Sequence, residues 1–277
     1  MGLEGKLTDS DVQYDLTAGT LDELIEIVIQ SGARLFVSSV GVPPRAVVER
    51  LHANGVLYMN MCGHPKHAKK ACEAGADIIC AQGSEAGGHV SEIPTSVMVP
   101  ACADLIKAEH YMSPLTGRPV DLVAAGGICD GRGIAAAFMY GASAVWIGTR
   151  FVTAVESTAT EDAKQTILDA TFDDTIATTV FTGRPARLYA SKYIREWETT
   201  RFAEQQRLLA QGHIPLYWDQ KRYEAEGGMP AEIECQAVFK PMSIASGLMH
   251  RSGQTAAEII NEMMTEASER LEAASSS

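Results

Sequence analysis

Residues Val120–Phe151 read VDLVAAGGICDGRGIAAAFMYGASAVWIGTRF, and this stretch decides the fold. Val120 to Ala125 is an apolar run without polar alternation, which predicts a strand buried on both faces. Gly126-Gly127 stops it. Gly131 to Tyr140 is rich in alanine, the residue most favourable to helix, and Gly141 marks the helix end. Ala144 to Gly148 is a second apolar strand. Strand, helix and strand in this order make the crossover unit of a parallel sheet.

The same unit recurs upstream. Leu21 to Ile29 carries Leu21, Leu24, Ile25, Val28 and Ile29 at helical spacing, closed by Ser31-Gly32. Strands are expected at Arg34–Val40, Val56–Met61 and Asp77–Ala81, with helices at Arg45–His52, Pro65–Glu73 and Val97–Ala108. Downstream of about Ala154 the pattern changes. Thr160–Ala170 reads as a helix, Asp173–Ala190 is mixed, Tyr193–Gln211 reads as one long charged helix, and Ala256–Ala273 as a final amphipathic helix. The expected organisation is a loose lead-in over 1–20, βα units over 21–155, a mainly helical unit over 156–250, and a helix with an unstructured serine tail over 251–277.

The 277 residues are 46% hydrophobic and 21% charged, which supplies a sizeable core. Lys and Arg number 23 against 35 Asp and Glu, a net charge of −12. That balance argues against nucleic acid as a partner, because phosphate contacts need clustered basic side chains; Lys66, Lys69 and Lys70 form only a short basic group. No apolar run approaches the roughly 18–20 residues that span a bilayer. The opening MGLEGKLTDS lacks the basic and apolar regions of a secretory signal. The six cysteines form no C-x-x-C pair. Together these features predict a reduced, intracellular, cytoplasmic protein.

Ligands of parallel βα proteins bind at the carboxyl ends of the strands. Three of these ends are rich in glycine: AQGSEAGGH at 81–89, AAGGI at 124–128 and IGTRF at 147–151. Glycine lets the backbone approach a flat ring or a phosphate and exposes its N–H groups. The second and third runs leave consecutive strands near helix starts, the arrangement of a barrel phosphate site. His89 follows Gly87-Gly88 on a ligand-side loop, where an imidazole is a candidate base. Gln82 both donates and accepts, which suits the edge of a heterocycle. His64 and His67 lie at another strand end and serve equally well as the wet start of a helix. Cys129 has no basic partner in sequence and reads as an unreactive thiol. Glu85 and Glu92 read as solvated loop carboxylates. No Cys/His cluster has metal-ligand spacing.

At these residues the chain resembles the nitronate monooxygenases, formerly 2-nitropropane dioxygenases. The resemblance is carried by AQGSEAGGH, AAGGICDGRG at 124–133 and GASAVWIGTRF at 141–151. GHPKHAKKA at 63–71 and VFTGRP at 180–185 are similar to fungal-type members. It implies an FMN-dependent TIM barrel with a small helical extra domain, oxidising alkyl nitronates and nitroalkanes with O2 by one-electron transfer. It also implies His89 as the base for neutral nitroalkanes, with Gln82, Gly83, Ser84, Gly87, Gly88, Gly126, Gly127, Gly148 and Thr149 around FMN. The sequence departs from the family at its start. A barrel has eight strands over about 250 residues, whereas the five strands read here match strands four to eight. The expected fold is therefore an incomplete TIM-barrel-type set of parallel βα units with a mainly helical C-terminal extension, open edges that favour self-association, and no first flavin loop. Two alternatives share these motifs: a flavin-dependent enoyl-acyl carrier protein reductase, and a catalytically silent truncated barrel.

Overall fold

In the computed structural model, which describes residues 17, 19–39 and 41–276, the alternation of apolar strands and amphipathic helices becomes a five-stranded parallel sheet. Its strands are β1 (Leu35–Ser38), β2 (Leu57–Cys62), β3 (Ile78–Gln82), β5 (Asp121–Ala125) and β6 (Ala144–Trp146). The intervening helices are α1 (Leu21–Gln30), α2 (Arg45–Ala53), α3 (Pro65–Glu73), α4 (Thr95–Ala108) and α5 (Gly131–Met139). Each strand joins the edge left by the one before, in the order β1-β2-β3-β5-β6. This one-directional order is that of a βα barrel rather than of a doubly wound sheet. Among the described residues β1 and β6 remain edge strands.

The two faces of the sheet follow the period of two along each strand. Tyr58, Cys62, Ile79, Ala81, Leu122 and Ala124 join one cluster with Ala68, Met98, Val99, Cys102 and Ile134 of the helices. Each fully buried large side chain here, such as Met98, stabilises by about 1.5–3 kcal/mol. Among the described residues, the hydrophobic cluster on the opposite face is made of strand residues: Met59, Cys80, Val123 and Ala125, flanked by Val37, Met61 and Ile78. Toward the edges that face opens to solvent, with Leu35 37% and Trp146 44% exposed. At the end away from the glycine loops, buried Asp77 ties neighbouring elements together. It accepts from Tyr58 N (2.7 Å) and Ser113 Oγ (2.5 Å) and pairs with His52 Nε2 (2.9 Å).

Helix starts agree with their sequence signals. Pro65 occupies the first turn of α3 and His64 Nδ1 accepts from Lys66 N at 3.1 Å. Asp130 caps α5 through Gly133 N at 3.0 Å. Thr255 and Glu258 form a reciprocal capping box on α12 (Ala256–Ser275). That helix runs through Ser275, so the serine tail expected from Ser275 onward is helical at its first residue; Ser277, Val40 and most of the expected lead-in lie outside the described residues.

The later part of the chain corrects the sequence expectation once, in the long charged helix, and resolves the mixed stretch 173–190 into strands. A three-stranded antiparallel sheet takes two of its strands from that stretch and the third from the glycine loop after β3, while the other regular structure of 156–250 is helical. In spatial order its strands are β4 (Gly88–His89), β8 (Ala186–Tyr189) and β7 (Thr175–Thr178), and α6 (Thr149–Val152) and α7 (Glu161–Asp169) precede β7. The strands are short, and β8 alternates buried Ala186 and Leu188 with half-buried Arg187 and Tyr189, a pattern too brief to stand out in sequence. The long charged helix is two, α8 (Lys192–Glu198) and α9 (Phe202–Ala210). The break falls at Thr199-Thr200, whose hydroxyls donate back to Arg195 O (2.6 Å) and Glu196 O (3.1 Å), competing with the helical ladder. Arg201 then lies over the Trp197 ring at 3.5 Å and reaches buried Asp219 with both terminal guanidinium nitrogens. Asp219 belongs to α10 (Pro215–Ala225), followed by α11 (Ala231–Glu234).

Candidate active site

The glycine-rich run after β3 folds back on itself and is held by the chain's own groups. A Cβ on Gly83 would lie 2.0 Å from Thr95 Oγ1, and one on Gly87 would lie 2.7 Å from the Met242 carbonyl carbon. Close packing within the chain therefore already requires these two glycines. Glu85, expected to be a solvated loop carboxylate, instead accepts from Thr95 N (2.9 Å) and Thr95 Oγ1 (2.9 Å) at the start of α4. An acid at a helix N-terminus satisfies free N–H groups and complements the dipole. Ser84 donates weakly to Glu85 Oε2 at 3.4 Å, and its carbonyl accepts from Arg187 Nε at 3.1 Å.

His89 stands at the junction of the two sheets. Gln82 Nε2 donates to His89 O at 2.7 Å, so the expected heterocycle-edge residue spends one of its two N–H donors on holding the histidine main chain. Antiparallel pairing with β8 holds the other side, His89 opposite Ala186, and Val90 N donates to Pro185 O at 3.0 Å. The imidazole itself is exposed. Its Nε2 lies 2.9 Å from Thr182 Oγ1, and the Phe239 ring lies 6.3 Å away, centroid to centroid. Partial burial, and then the nearby Arg184 guanidinium, hold its pKa below the ordinary 6.5. Both act against the imidazolium, so the ring is neutral and able to accept a proton at neutral pH.

The other two glycine runs leave adjacent strands, Ala125 of β5 pairing with Trp146 of β6. Gly126 and Gly127 take φ of +96° and +74°, which a side chain tolerates poorly. Gly148 differs from both. A Cβ there would meet nothing within 4 Å, and its φ is −104°. Next to it, Thr149 Oγ1 accepts from Ser243 N at 3.1 Å, and among the described residues nothing accepts that hydroxyl's proton. An open backbone and a free donor at one strand end fit an anionic group such as a phosphate. The start of α5, by contrast, is filled: Gly131 N donates to Glu266 Oε2 at 2.9 Å, and a Gly131 Cβ would lie 2.4 Å from Ala267 N. Of the two helix starts anticipated near this site, that of α5 is taken by carboxylates of the chain itself.

Other candidates are not brought into this group. His64 caps α3, and His67 is held low by burial and then by Lys66, His64 and Lys70. Cys129 is buried and its thiol is pushed up to about 11, first by burial. Glu92 is exposed. A cleft among Tyr193, Glu196, Arg201, Asp219 and Arg222 lies in the helical part, where the charges already pair with one another. Sequence reasoning gave no role to Thr182, Arg184, Arg187, Phe239 or Ser243. The VFTGRP turn was visible as a motif, but nothing in the sequence indicated that β8 would carry it to His89.

The family model described as nitronate monooxygenase matches residues 3–266. The Mycobacterium tuberculosis protein Rv1533, provisionally named a monooxygenase, is 38% identical over 175 residues, which are 63% of this chain and 44% of that one. The structure of FabK from Thermotoga maritima superposes with a TM-score of 0.71 at 28% identity, covering 94% of this chain and 76% of that one. Nitroalkane oxidase from Streptomyces ansochromogenes gives a TM-score of 0.70 at 26% identity, covering 91% and 69%. The chain spans about half the length of the curated relatives it matches.

Proposed function

The chain belongs to the nitronate monooxygenase family, and we propose that it carries the phosphate-binding and proton-accepting half of a site that oxidises nitroalkanes and their nitronates. The observation that carries this reading is His89, neutral and exposed, fixed between Gln82 and β8 beside the glycine loops. We assign the cofactor as FMN. The open backbone at Gly148, the free hydroxyl proton of Thr149 and the positive-φ pair Gly126-Gly127 suit its phosphate. Gln82 keeps its side-chain oxygen as an acceptor for the ring edge, and Gly83, Ser84, Gly87 and Gly88 shape the loop beneath it.

When bound, the flavin supplies an electron acceptor that passes electrons on to O2. His89 removes the acidic proton next to the nitro group of a neutral substrate: the C–H bond breaks, an N–H bond forms, and the electron pair stays on the substrate as the nitronate. Arg184, by disfavouring the imidazolium, keeps the base unprotonated before substrate arrives. Preformed nitronate bypasses this step. The open edges of the sheet and the solvent-exposed Leu35 and Trp146 on its helix-free face favour self-association of the chain.

The test is flavin binding followed by oxygen uptake with a nitroalkane and with its nitronate. Oxygen consumption with both, and no oxidation of a nicotinamide in the presence of an enoyl thioester, supports the reading. The opposite pattern supports the enoyl reductase alternative that shares the Gly-Gly-Ile and Gly-Thr-Arg-Phe elements. Absence of flavin binding supports the silent barrel.

A further inference from the structure

We propose that Thr182 is a positioning residue that fixes His89 in the tautomer protonated at Nε2, leaving Nδ1 as the atom that accepts the substrate proton. The role assigned to Nδ1 rests on the reading of His89 as the base; the tautomer does not.

The argument is an accounting of hydrogens around one hydroxyl. Thr182 Oγ1 has three neighbours: His89 Nε2 at 2.9 Å, Arg184 O at 3.2 Å and Arg184 N at 3.4 Å. A hydroxyl carries one proton and can accept twice. The Arg184 carbonyl can only accept, and the Arg184 N–H can only donate. If Thr182 donates to Arg184 O, it is free to accept from Arg184 N–H and from His89 Nε2–H, and all three contacts are used. If Thr182 donates to a bare His89 Nε2, the Arg184 carbonyl loses its donor and two lone pairs face each other at 3.2 Å. The first arrangement makes one more hydrogen bond and has no repulsive pair. It puts the imidazole proton on Nε2 and the lone pair on Nδ1, which has no hydrogen-bond partner among the described residues.

The main chain makes this assignment rigid. Thr182 and Arg184 belong to the turn leading into β8, in which Gly183 adopts φ +70°, and β8 pairs directly with the His89 strand. Hydroxyl and imidazole are therefore held by one antiparallel ladder. The same chain of bonds serves the product of proton transfer. Once Nδ1 is protonated, the charged Nε2–H becomes a stronger donor to Thr182 Oγ1, whose own proton points at a carbonyl. The base therefore needs no ring flip and no tautomer exchange before it accepts a proton. Removing the hydroxyl leaves the tautomer unbiased, and only one of the two forms then presents a lone pair in the same place. The unbiased tautomer alone costs about two-fold, and loss of the bond that strengthens as the ring gains charge brings the effect to about three- to ten-fold.

The experiment uses the whole chain labelled with 15N at histidine and read by two-bond 1H–15N correlation, with His89 assigned from the spectrum of His89→Asn. The wild type should show the Nε2-protonated pattern, Thr182→Ser should keep it, and Thr182→Val should lose it to exchange or to the other tautomer. The Nδ1-protonated pattern in the wild type, or a Thr182→Val spectrum identical to wild type, overturns the proposal. A kinetic comparison tests the role in the flavin-loaded protein. Thr182→Val should lower kcat on a neutral nitroalkane by about three- to ten-fold with KM little changed, spare the preformed nitronate, and be rescued by serine. Equal losses on both substrate forms would overturn the positioning role. If His89→Asn turns over nitroalkane like wild type, the base reading fails, and the tautomer assignment is then decided by the spectra alone.

Discussion

Replacing Gly148 with valine separates what a ligand needs from what the fold needs. Most glycines near the site cannot be used this way: a side chain at Gly87 would run into Met242, and Gly126 and Gly127 sit at positive φ with neighbours at 3.0 Å. At Gly148 a Cβ meets nothing within 4 Å and φ is −104°, an ordinary value for any L-residue. The substitution should leave folding intact and fill only the space in which the phosphate is proposed to lie. Losing one charge-assisted hydrogen bond of about 1.5–3 kcal/mol weakens FMN binding by about 10- to 150-fold. Quenching of flavin fluorescence gives the Kd, and thermal unfolding without flavin checks the fold. Riboflavin, which lacks the phosphate, should bind wild type and Gly148→Val alike. FMN affinity unchanged in a folded variant, or riboflavin weakened as much as FMN, would refute the placement.

His89→Asn should lose about 10²–10⁴-fold in kcat/KM on neutral nitroalkanes, the usual worth of a general base, while retaining activity on nitronates in an oxygen-uptake assay. Because the imidazole pKa is held below 6.5 and the neutral ring is the active form, nitroalkane activity should persist as pH falls to 6.5 and be lost only below it; Arg184→Gln removes one of the two causes and should move that acid limb to higher pH. Asp219→Ala strips a carboxylate with no exposure from Arg201, Arg222 and Tyr193 OH, and should destabilise by about 3–5 kcal/mol in denaturant titration, whereas a cost under 1 kcal/mol would mean that solvent compensates the cations. With Leu35 and Trp146 exposed on the open face, sedimentation velocity of the isolated chain should show concentration-dependent association, and a strict monomer across the range would count against open edges.

The parallel part of the fold was legible because each strand is a run of apolar residues closed by glycine and followed by a helix with a visible start. α3 was read at its observed limits, Pro65–Glu73, from a proline and the stop at Gly75. The antiparallel sheet was not legible. β7 and β8 are four residues each and β4 is two, so no window holds enough period to detect, and the pairing of β4 with β8 joins residues about a hundred positions apart. The break at Thr199 was hidden because two threonines in a charged segment are compatible with helix until their hydroxyls turn back onto carbonyls. In the candidate site, the glycines and His89 could be singled out because their chemistry is local. Thr182 and Ser243 could not, since each matters only through a neighbour supplied by tertiary packing. Gly83 and Gly87 show the converse: they looked like ligand contacts, and Thr95 and Met242 already account for them.

The clasp formed by Ser243 has a consequence for the order in which the molecule is made. Ser243 Oγ donates to Glu85 O at 2.6 Å and Ser243 N to Thr149 Oγ1, while Gly131 N waits for Glu266. The βα units pair with strands that immediately precede them and can form as the chain emerges from the ribosome. The three loops at their carboxyl ends cannot settle then, because their partners lie more than ninety residues further along. Long-range closure of this kind is slow relative to local pairing. The sheet can thus form before its loops are finished, and the contacts that shape the proposed anion site are complete only when residues 243–266 dock. Chains stalled before residue 243 are expected to lack these contacts, and flavin titration of such truncated chains against the whole one checks it.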